Sequence, residues 1–241
     1  MAAGRTPWED IERWFRSARN RVEVLPADAE RRAIIVHDLG IDADSTVAHV
    51  AMNIGGAFID YGWFRLLGSG HPRMTLGLDA WNGARDRLEP WRSGAVFVVA
   101  HDVVGGFFAL DSGALGFGRG HVAYLAPDAI AWEDLDLGFS GFLEWLADGD
   151  VAGFAEGNRW PGWEHEIHKL SGDDGIFVAP PLWAEGPPIG ERLRAQVPMK
   201  ELWTYAHTTM RQLEGVPAGS PVSFSAMEPP APRGEEHSPD G

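Results

Sequence analysis

The chain has 241 residues, of which 44% are hydrophobic and 23% charged, so it is long enough and apolar enough to bury a sizeable core. It carries 35 acidic and 20 basic side chains, and the resulting formal net charge of −15 predicts that nucleic acid is not a partner. The lack of cysteine excludes disulfides, thiolate catalysis and cysteine-ligated metal centres.

Neither a targeting segment nor a membrane span is visible in the sequence. Residues 1–14 carry several acids and lack the apolar stretch of a signal peptide. The longest apolar run, residues 95–100, is too short to cross a bilayer. We therefore expect a cytoplasmic protein with no membrane partner.

The N-terminal part predicts two helices. Thr6 is a candidate N-cap, Pro7 suits the first helical position, and Glu9 completes a capping box. A second helix, ended by a glycine, is expected over residues 27–39. Residues 45–53 fit the period of a helix but are rich in β-branched side chains, so a helix and a strand both stay open.

Sheet is predicted from residue 57 onward, where aromatic and β-branched residues replace the helical pattern. A short helix is expected over residues 76–81. Three apolar strands then follow at a spacing that predicts antiparallel hairpins: residues 95–100, 107–112 and 121–126.

The C-terminal part returns to helices. They are expected over residues 139–148, 161–171 and 197–214, with a short edge-like strand over 175–179. Beyond residue 215, Pro, Ser, Gly and Glu dominate without periodicity. We predict a single α+β domain over residues 1–215, in which helices flank a predominantly antiparallel sheet, and a disordered tail over residues 216–241.

Two glycine-rich stretches are interpreted as architecture. Gly105 and Gly106 are expected to supply positive φ angles for a tight turn, after which Phe107 and Phe108 enter a strand. Residues 113–120 contain Gly116, Gly118 and Gly120, a G-x-G-x-G pattern that lies between two strands and does not open a helix. A mobile hairpin loop is therefore favoured over a ligand cradle.

Residue types that could carry chemistry are present without a complete motif. In HEIHK the second histidine comes three residues after the first, so His165 and His168 are only weak candidates for a metal site. The segments GFSG and GSGH do not match the serine nucleophile elbow. The sequence predicts no catalytic residue and no cofactor.

Eleven tryptophans are spread along the chain, and most are expected to fill a core between helices and sheet. Trp160 and Trp163, on either side of a Pro-Gly pair, could instead be exposed anchors for a partner.

Several stretches together resemble a bacterial family known as domain of unknown function 2625. They include DYGWFRLLGSGHPR at residues 60–73, GGFFALDSGALG at 105–116 and RWPGWE at 159–164, and the resemblance spans residues 8–213. Residues 105–146 are also similar to the SUKH superfamily, in a G-G-x-x-x-x-D strand, a second strand reading HVAYLAPD and the segment FSGFLEWL. That similarity implies an α+β domain and the role of an immunity protein that neutralises a toxin.

We therefore expect a non-enzymatic binding protein, immunity-like in its role, whose acidic surface meets a basic protein partner because complementary charges speed encounter. The alternative is a small-molecule-binding domain or a hydrolase-type enzyme. Its cleft would collect histidine, arginine and aspartate side chains from neighbouring strand ends: His71, Arg73, His101, Asp102 and Asp111. The sequence does not indicate an oligomeric state.

Overall fold

A seven-stranded antiparallel sheet forms the centre of the computed structural model, which describes residues 6–83, 96–217 and 219–221. Every strand pairs with its neighbour in the chain, so the strand order follows the sequence. The strands are β1 (Val22–Pro26), β2 (Ile54–Ile59), β3 (Phe64–Leu67), β4 (Val96–Asp102), β5 (Phe107–Asp111), β6 (His121–Leu125) and β7 (Trp132–Gly138). A separate antiparallel hairpin is formed by β8 (Asp174–Ala179) and β9 (Leu193–Pro198).

Helices cover both faces of the sheet, which confirms the predicted α+β class. They are α1 (Pro7–Arg16), α2 (Ala29–Leu39), α3 (Thr46–Asn53), α4 (Leu78–Asn82), α5 (Phe139–Asp148), α6 (Val151–Ala155), α7 (Trp163–Ile167) and α8 (Met199–Leu213). On one face α1 packs against α3 and α5. On the other face α8 packs against the β8–β9 hairpin.

The two phenylalanines that follow the paired glycines show how the sheet is buried on both sides. Successive side chains of a strand point to opposite faces. Phe107 accordingly meets Trp203 of α8, with ring centroids 4.8 Å apart, and Phe108 meets Phe142 of α5 at 5.0 Å. Both phenylalanines are fully buried, so this strand is the scaffold that the sequence predicted.

The turn before them depends on a buried carboxylate. Gly105 has a φ of 93°, as expected, but Gly106 does not belong to the residues with positive φ. Gly106 is needed for space instead, because an added Cβ would lie 2.0 Å from Oδ2 of Asp102 and 2.5 Å from the hydroxyl of Tyr124. The prediction was right for the first glycine and wrong for the second.

Several elements differ from the predictions. Residues 45–53 resolve into α3, because the hydroxyl of Ser45 accepts from the N–H of Ala48 and caps the helix. β7 was not predicted because its acids break the apolar pattern, and such charges are typical of an edge strand. β1 and β9 were also missed, and the helix predicted over 161–171 shrinks to the five residues of α7.

The buried apolar side chains of the described residues form a continuous cluster that involves both faces of the sheet. Within the described ranges, no helix is both long and apolar enough to span a bilayer. Most of the predicted tail, residues 222–241, lies outside the described residues, as does Trp91.

Candidate functional site

The structure does not bring the five residues of the predicted His/Asp cleft together. His101 and Asp102 are neighbours in β4, so their side chains leave the sheet on opposite faces. His101 lies beside Trp81, whereas Asp102 accepts a hydrogen bond from the hydroxyl of Tyr124 at 2.8 Å. Both residues are 1% exposed.

The two buried polar residues of β4, His101 and Asp102, are each shaped by their surroundings. Asp102 also accepts the N–H groups of Val104 and Gly106, and so fixes the turn to β5. Burial raises the pKa of Asp102, and these hydrogen bonds only partly offset that increase. Burial lowers the pKa of His101 to about 3, so the imidazole is neutral in the folded protein at pH 7.

Asp111, at the end of β5, organises the loop to β6. Its carboxylate accepts four backbone N–H groups, from Gly113, Leu115, Phe117 and Gly118, at 2.6 to 3.3 Å. Burial alone would raise the pKa of Asp111, but the four donors outweigh it and lower the pKa. The carboxylate is thus already satisfied by the loop that the sequence marked as glycine-rich.

Trp160 and Trp163 are buried, with 3% and 8% of their surfaces exposed, and so do not form the exposed anchor. The guanidinium of Arg159 lies 4.2 Å from the ring centroid of Trp163. His165, in α7, and His168, directly after it, are both exposed. Of the two, only His168 lines a pocket among those described.

That pocket lies over the β1–β3 end of the sheet and is lined by three arginines. Strand register places Glu23 opposite Phe58, and Phe58 opposite Arg65, so the three side chains form one row on the same face. The residues that line the pocket are mostly charged or aromatic: Arg21, Glu23, Phe58, Tyr61, Gly62, Arg65, Arg73, Ile167, His168 and Leu170. We call it the arginine pocket; its cavity volume is about 40 Å³, and it is open to solvent.

Arg73 connects the loop after β3 to the row on the sheet. Its guanidinium pairs with both carboxylate oxygens of Glu23 and lies 4.9 Å from the ring centroid of Phe58. The pKa of Glu23 is lowered, first by the hydrogen bond from Arg73 and further by the charges of Arg73, Arg21 and His168. His71, two residues before Arg73, accepts the Arg73 N–H on Nδ1 at 3.1 Å, which fixes the loop.

Arg65 is the most deeply buried charge of the arginine pocket, with 1% of its surface exposed. Its guanidinium donates to the carbonyl oxygens of Gly62, Gly172 and Asp174, and to no carboxylate among the described residues. Burial lowers the pKa of Arg65 to about 10, so the side chain keeps its positive charge at pH 7.

The rim of the arginine pocket contains backbone in a rarely occupied conformation. Asp60 and Tyr61 have φ angles of 50° and 60°, and Gly62 follows at 89°. Non-glycine residues seldom adopt this left-handed region, and such strain is frequent at binding sites. An ion pair between Asp60 and Arg159 supports the turn from below. Tyr61 remains 46% exposed.

Tyr61 faces a second arginine across the rim. The guanidinium of Arg21 lies 4.7 Å from the centroid of its ring, a cation–π contact. Arg21 is otherwise exposed, and it forms no ion pair with a carboxylate within the described part of the chain. A charged side chain of the rim is therefore available to a ligand.

One group of possible metal ligands lies elsewhere, on the β6–β7 edge. Ligand atoms of His121, Asp134 and Asp136 lie within 4.8 Å of one another. Nδ1 of His121 already contacts Asp134 at 3.1 Å, and both aspartates are exposed. Hydrogen bonds within the group, between His121 and Asp134 and from the N–H of Asp136 to Asp134, account for this arrangement.

Sequence reasoning found only Arg73 and His168 of the arginine pocket. Arg21, Glu23 and Arg65 are separated along the chain and carry no motif, so only the strand register brings them together. The signal that was available is the stretch DYGWFR, in which a tyrosine, a glycine and an arginine occur within five residues.

The comparison with protein families decides where the chain belongs. A model of the family described as "Protein of unknown function DUF2625" matches residues 2–202. The chain belongs to this family. The DUF2625 match covers every strand of the seven-stranded sheet and all of the arginine pocket, and it confirms the resemblance seen in the sequence.

Two proteins from bacteria are similar to most of this chain. The uncharacterized protein YbfG of Escherichia coli K12 is 34% identical over 196 residues, which cover 81% of this chain and 88% of YbfG. An uncharacterized protein of Haemophilus influenzae is 33% identical over 174 residues, which cover 72% of this chain and 76% of that protein. No solved structure matches the chain significantly, so the similarity to the SUKH superfamily stays a prediction.

Proposed function

We propose that this DUF2625 protein binds a small anionic molecule, with a carboxylate or phosphate group, in the arginine pocket. The observation that carries the proposal is the local charge. Three guanidinium groups and one carboxylate line the pocket in a chain whose formal net charge is −15. Arginine suits such a ligand because its planar fork matches the geometry of carboxylate and phosphate oxygens.

The arrangement of the pocket supports binding over covalent chemistry. Arg65 is held rigidly by three carbonyl groups, and a guanidinium that is already oriented loses little freedom on binding. The described lining residues include no serine, threonine, cysteine or lysine, and the lining carboxylate, Glu23, is engaged by Arg73. The proposal therefore keeps the predicted non-enzymatic binding protein but gives it a small-molecule ligand.

Isothermal titration calorimetry at low ionic strength tests the proposal with succinate and sulfate as probes. Replacing Arg21 or Arg73 with alanine should weaken binding about tenfold. Arg21→Ala removes a charge that contacts the ligand, and Arg73→Ala leaves Glu23 as an uncompensated negative charge beside it. Arg13→Ala is the matched control, since Arg13 is 50% exposed and paired with Asp10, as Arg73 is 53% exposed and paired with Glu23. Equal affinity in all variants would refute the arginine pocket as the binding site.

The predicted basic protein partner is a second proposal, favoured by a different observation. The edge strand β7 carries Glu133, Asp134 and Asp136, all exposed, and its outer backbone edge has no strand beside it within the described residues. A basic segment could meet these charges. Crosslinking in native lysate, compared with an Asp134→Asn/Asp136→Asn variant, should capture a basic protein with the wild type alone. Capture of the same protein by both chains would contradict this proposal.

A further inference from the structure

The arginine pocket contains its own carboxylate, and the position of that carboxylate indicates which anions the pocket selects. Glu23 engages Arg73 with both oxygens, so this arginine is neutralised before any ligand arrives. Arg21 and Arg65 have no carboxylate hydrogen-bonded to the guanidinium among the described residues. The charge of Glu23 also acts on Arg21, and the charges of Asp174, Asp102 and Asp173 act on Arg65 from outside the pocket lining. Three guanidinium groups against one carboxylate leave two positive charges on the lining side chains.

From this balance we infer that the pocket is selective for small dianions, such as a dicarboxylate or a sulfate-like group, and that Glu23 sets this selectivity. The inference rests on the proposed function. A monoanion that binds Arg21 or Arg65 leaves one of these two positive charges unbalanced. A monoanion that binds Arg73 must displace Glu23, which only exchanges one carboxylate for another. A dianion balances Arg21 and Arg65 while the Glu23–Arg73 pair stays intact.

The rigid parts of the pocket fit this division of roles. Arg65 is buried and fixed by backbone carbonyl groups, so it presents a constant charge at the floor. Arg21 lies on the exposed rim against Tyr61. The two unpaired charges thus come from a buried and an exposed position, as a ligand with two acidic groups or one doubly charged group requires. In the low dielectric near the floor the charge of Arg65 is screened less than a surface charge.

Succinate and butyrate make the direct test, because both have four carbons but they carry two charges and one. In calorimetry at low salt and pH 7.5, the wild type should bind succinate at least about tenfold more tightly than butyrate. Sulfate, a dianion without carbon, distinguishes recognition of charge from recognition of a dicarboxylate. If sulfate competes with succinate, the pocket recognises total charge. If sulfate does not compete, the pocket recognises two separate carboxylates. Both results support selection of dianions.

Glu23→Gln should change the preference in a defined direction. Freeing Arg73 should tighten butyrate binding about fivefold, the scale of an exposed ion pair, and bring butyrate and succinate closer together. Glu12→Gln is the control, because Glu12 is 48% exposed and paired with Arg16, as Glu23 is 49% exposed and paired with Arg73.

Two results would overturn the inference. Equal affinity of the wild type for butyrate and succinate would show that charge is not selected. Weaker binding of both anions by Glu23→Gln would show that Glu23 contacts the ligand. Failure of the proposed function looks different, because then none of the anions binds either the wild type or the Glu23→Gln variant.

Discussion

Replacing Asp111 with alanine should destabilise the protein without affecting anion binding, although the sequence placed Asp111 in the binding cleft. The substitution removes the acceptor of four backbone N–H groups. A hydrogen bond to a charged acceptor contributes about 1.5 to 3 kcal/mol. Because several residues of this loop are exposed, water replaces part of what is lost, and we expect a total loss of about 3 kcal/mol in the free energy of unfolding.

Urea unfolding followed by tryptophan fluorescence measures this loss. Asp150→Ala is the matched control, since Asp150 caps α6 through a single N–H, that of Gly153, and its loss should cost about 1 kcal/mol. The lowered pKa of Asp111 adds a second readout. Its stabilisation is present above the ordinary value of 3.8 and lost as the pH falls through the lower folded value. Equal losses of unfolding free energy in the two alanine variants would refute the reasoning. So would a difference in unfolding free energy between wild type and Asp111→Ala that increases as the pH decreases.

Two further predictions concern the scaffold. Gly106→Ala places a Cβ 2.0 Å from Oδ2 of Asp102 and should lower the free energy of unfolding by about 1 to 3 kcal/mol, measured by thermal melting. Gly138→Ala is the control, because its added Cβ meets no atom within 4 Å and should cost much less. Similar losses for the two variants would contradict the account of the turn. His101→Phe should flatten the pH dependence of stability. The pKa of His101 is about 3 in the folded protein and 6.5 ordinarily, so at pH values below 6.5 the unfolded chain binds a proton that the folded protein does not. The wild type therefore loses stability as the pH decreases from 6.5. Between pH 6 and pH 4.5 the wild type should lose about 1.4 kcal/mol per pH unit more than the variant, and parallel curves would contradict the neutral imidazole.

The architecture was readable from the sequence where a local rule determines the backbone. The capping box of Thr6 and Glu9 gave the start of α1, and both of its hydrogen bonds are present. The strands around the paired glycines were also found, because their apolar runs lie between turn residues. Edge elements were missed: β7 is half solvated and acidic, and the short alternation of aspartate and leucine over residues 134–137 was not recognised as a strand.

The site was largely hidden because its residues are joined by pairing and not by spacing. Arg21, Arg65 and Arg73 belong to a loop, a strand and another loop, and the register of β1, β2 and β3 brings them together. The positive φ angles of Asp60 and Tyr61 gave no sequence signal, because only the glycine after them is a typical left-handed residue. Conversely, His101 and Asp102 were both placed in the predicted cleft because they lie at a strand end, but neighbouring residues of a strand point to opposite faces of the sheet.

Nuclear magnetic resonance tests the central claim, that the arginine pocket is the anion site, most directly. Succinate titrated into ¹⁵N-labelled protein should shift the amide signals of residues 21–23, 61–65 and 167–170, which line the pocket from three directions. The same titration of Arg73→Ala should need about tenfold more succinate. Shifts that leave these three segments unchanged and concentrate elsewhere, for example around His121 and Asp134, would contradict it.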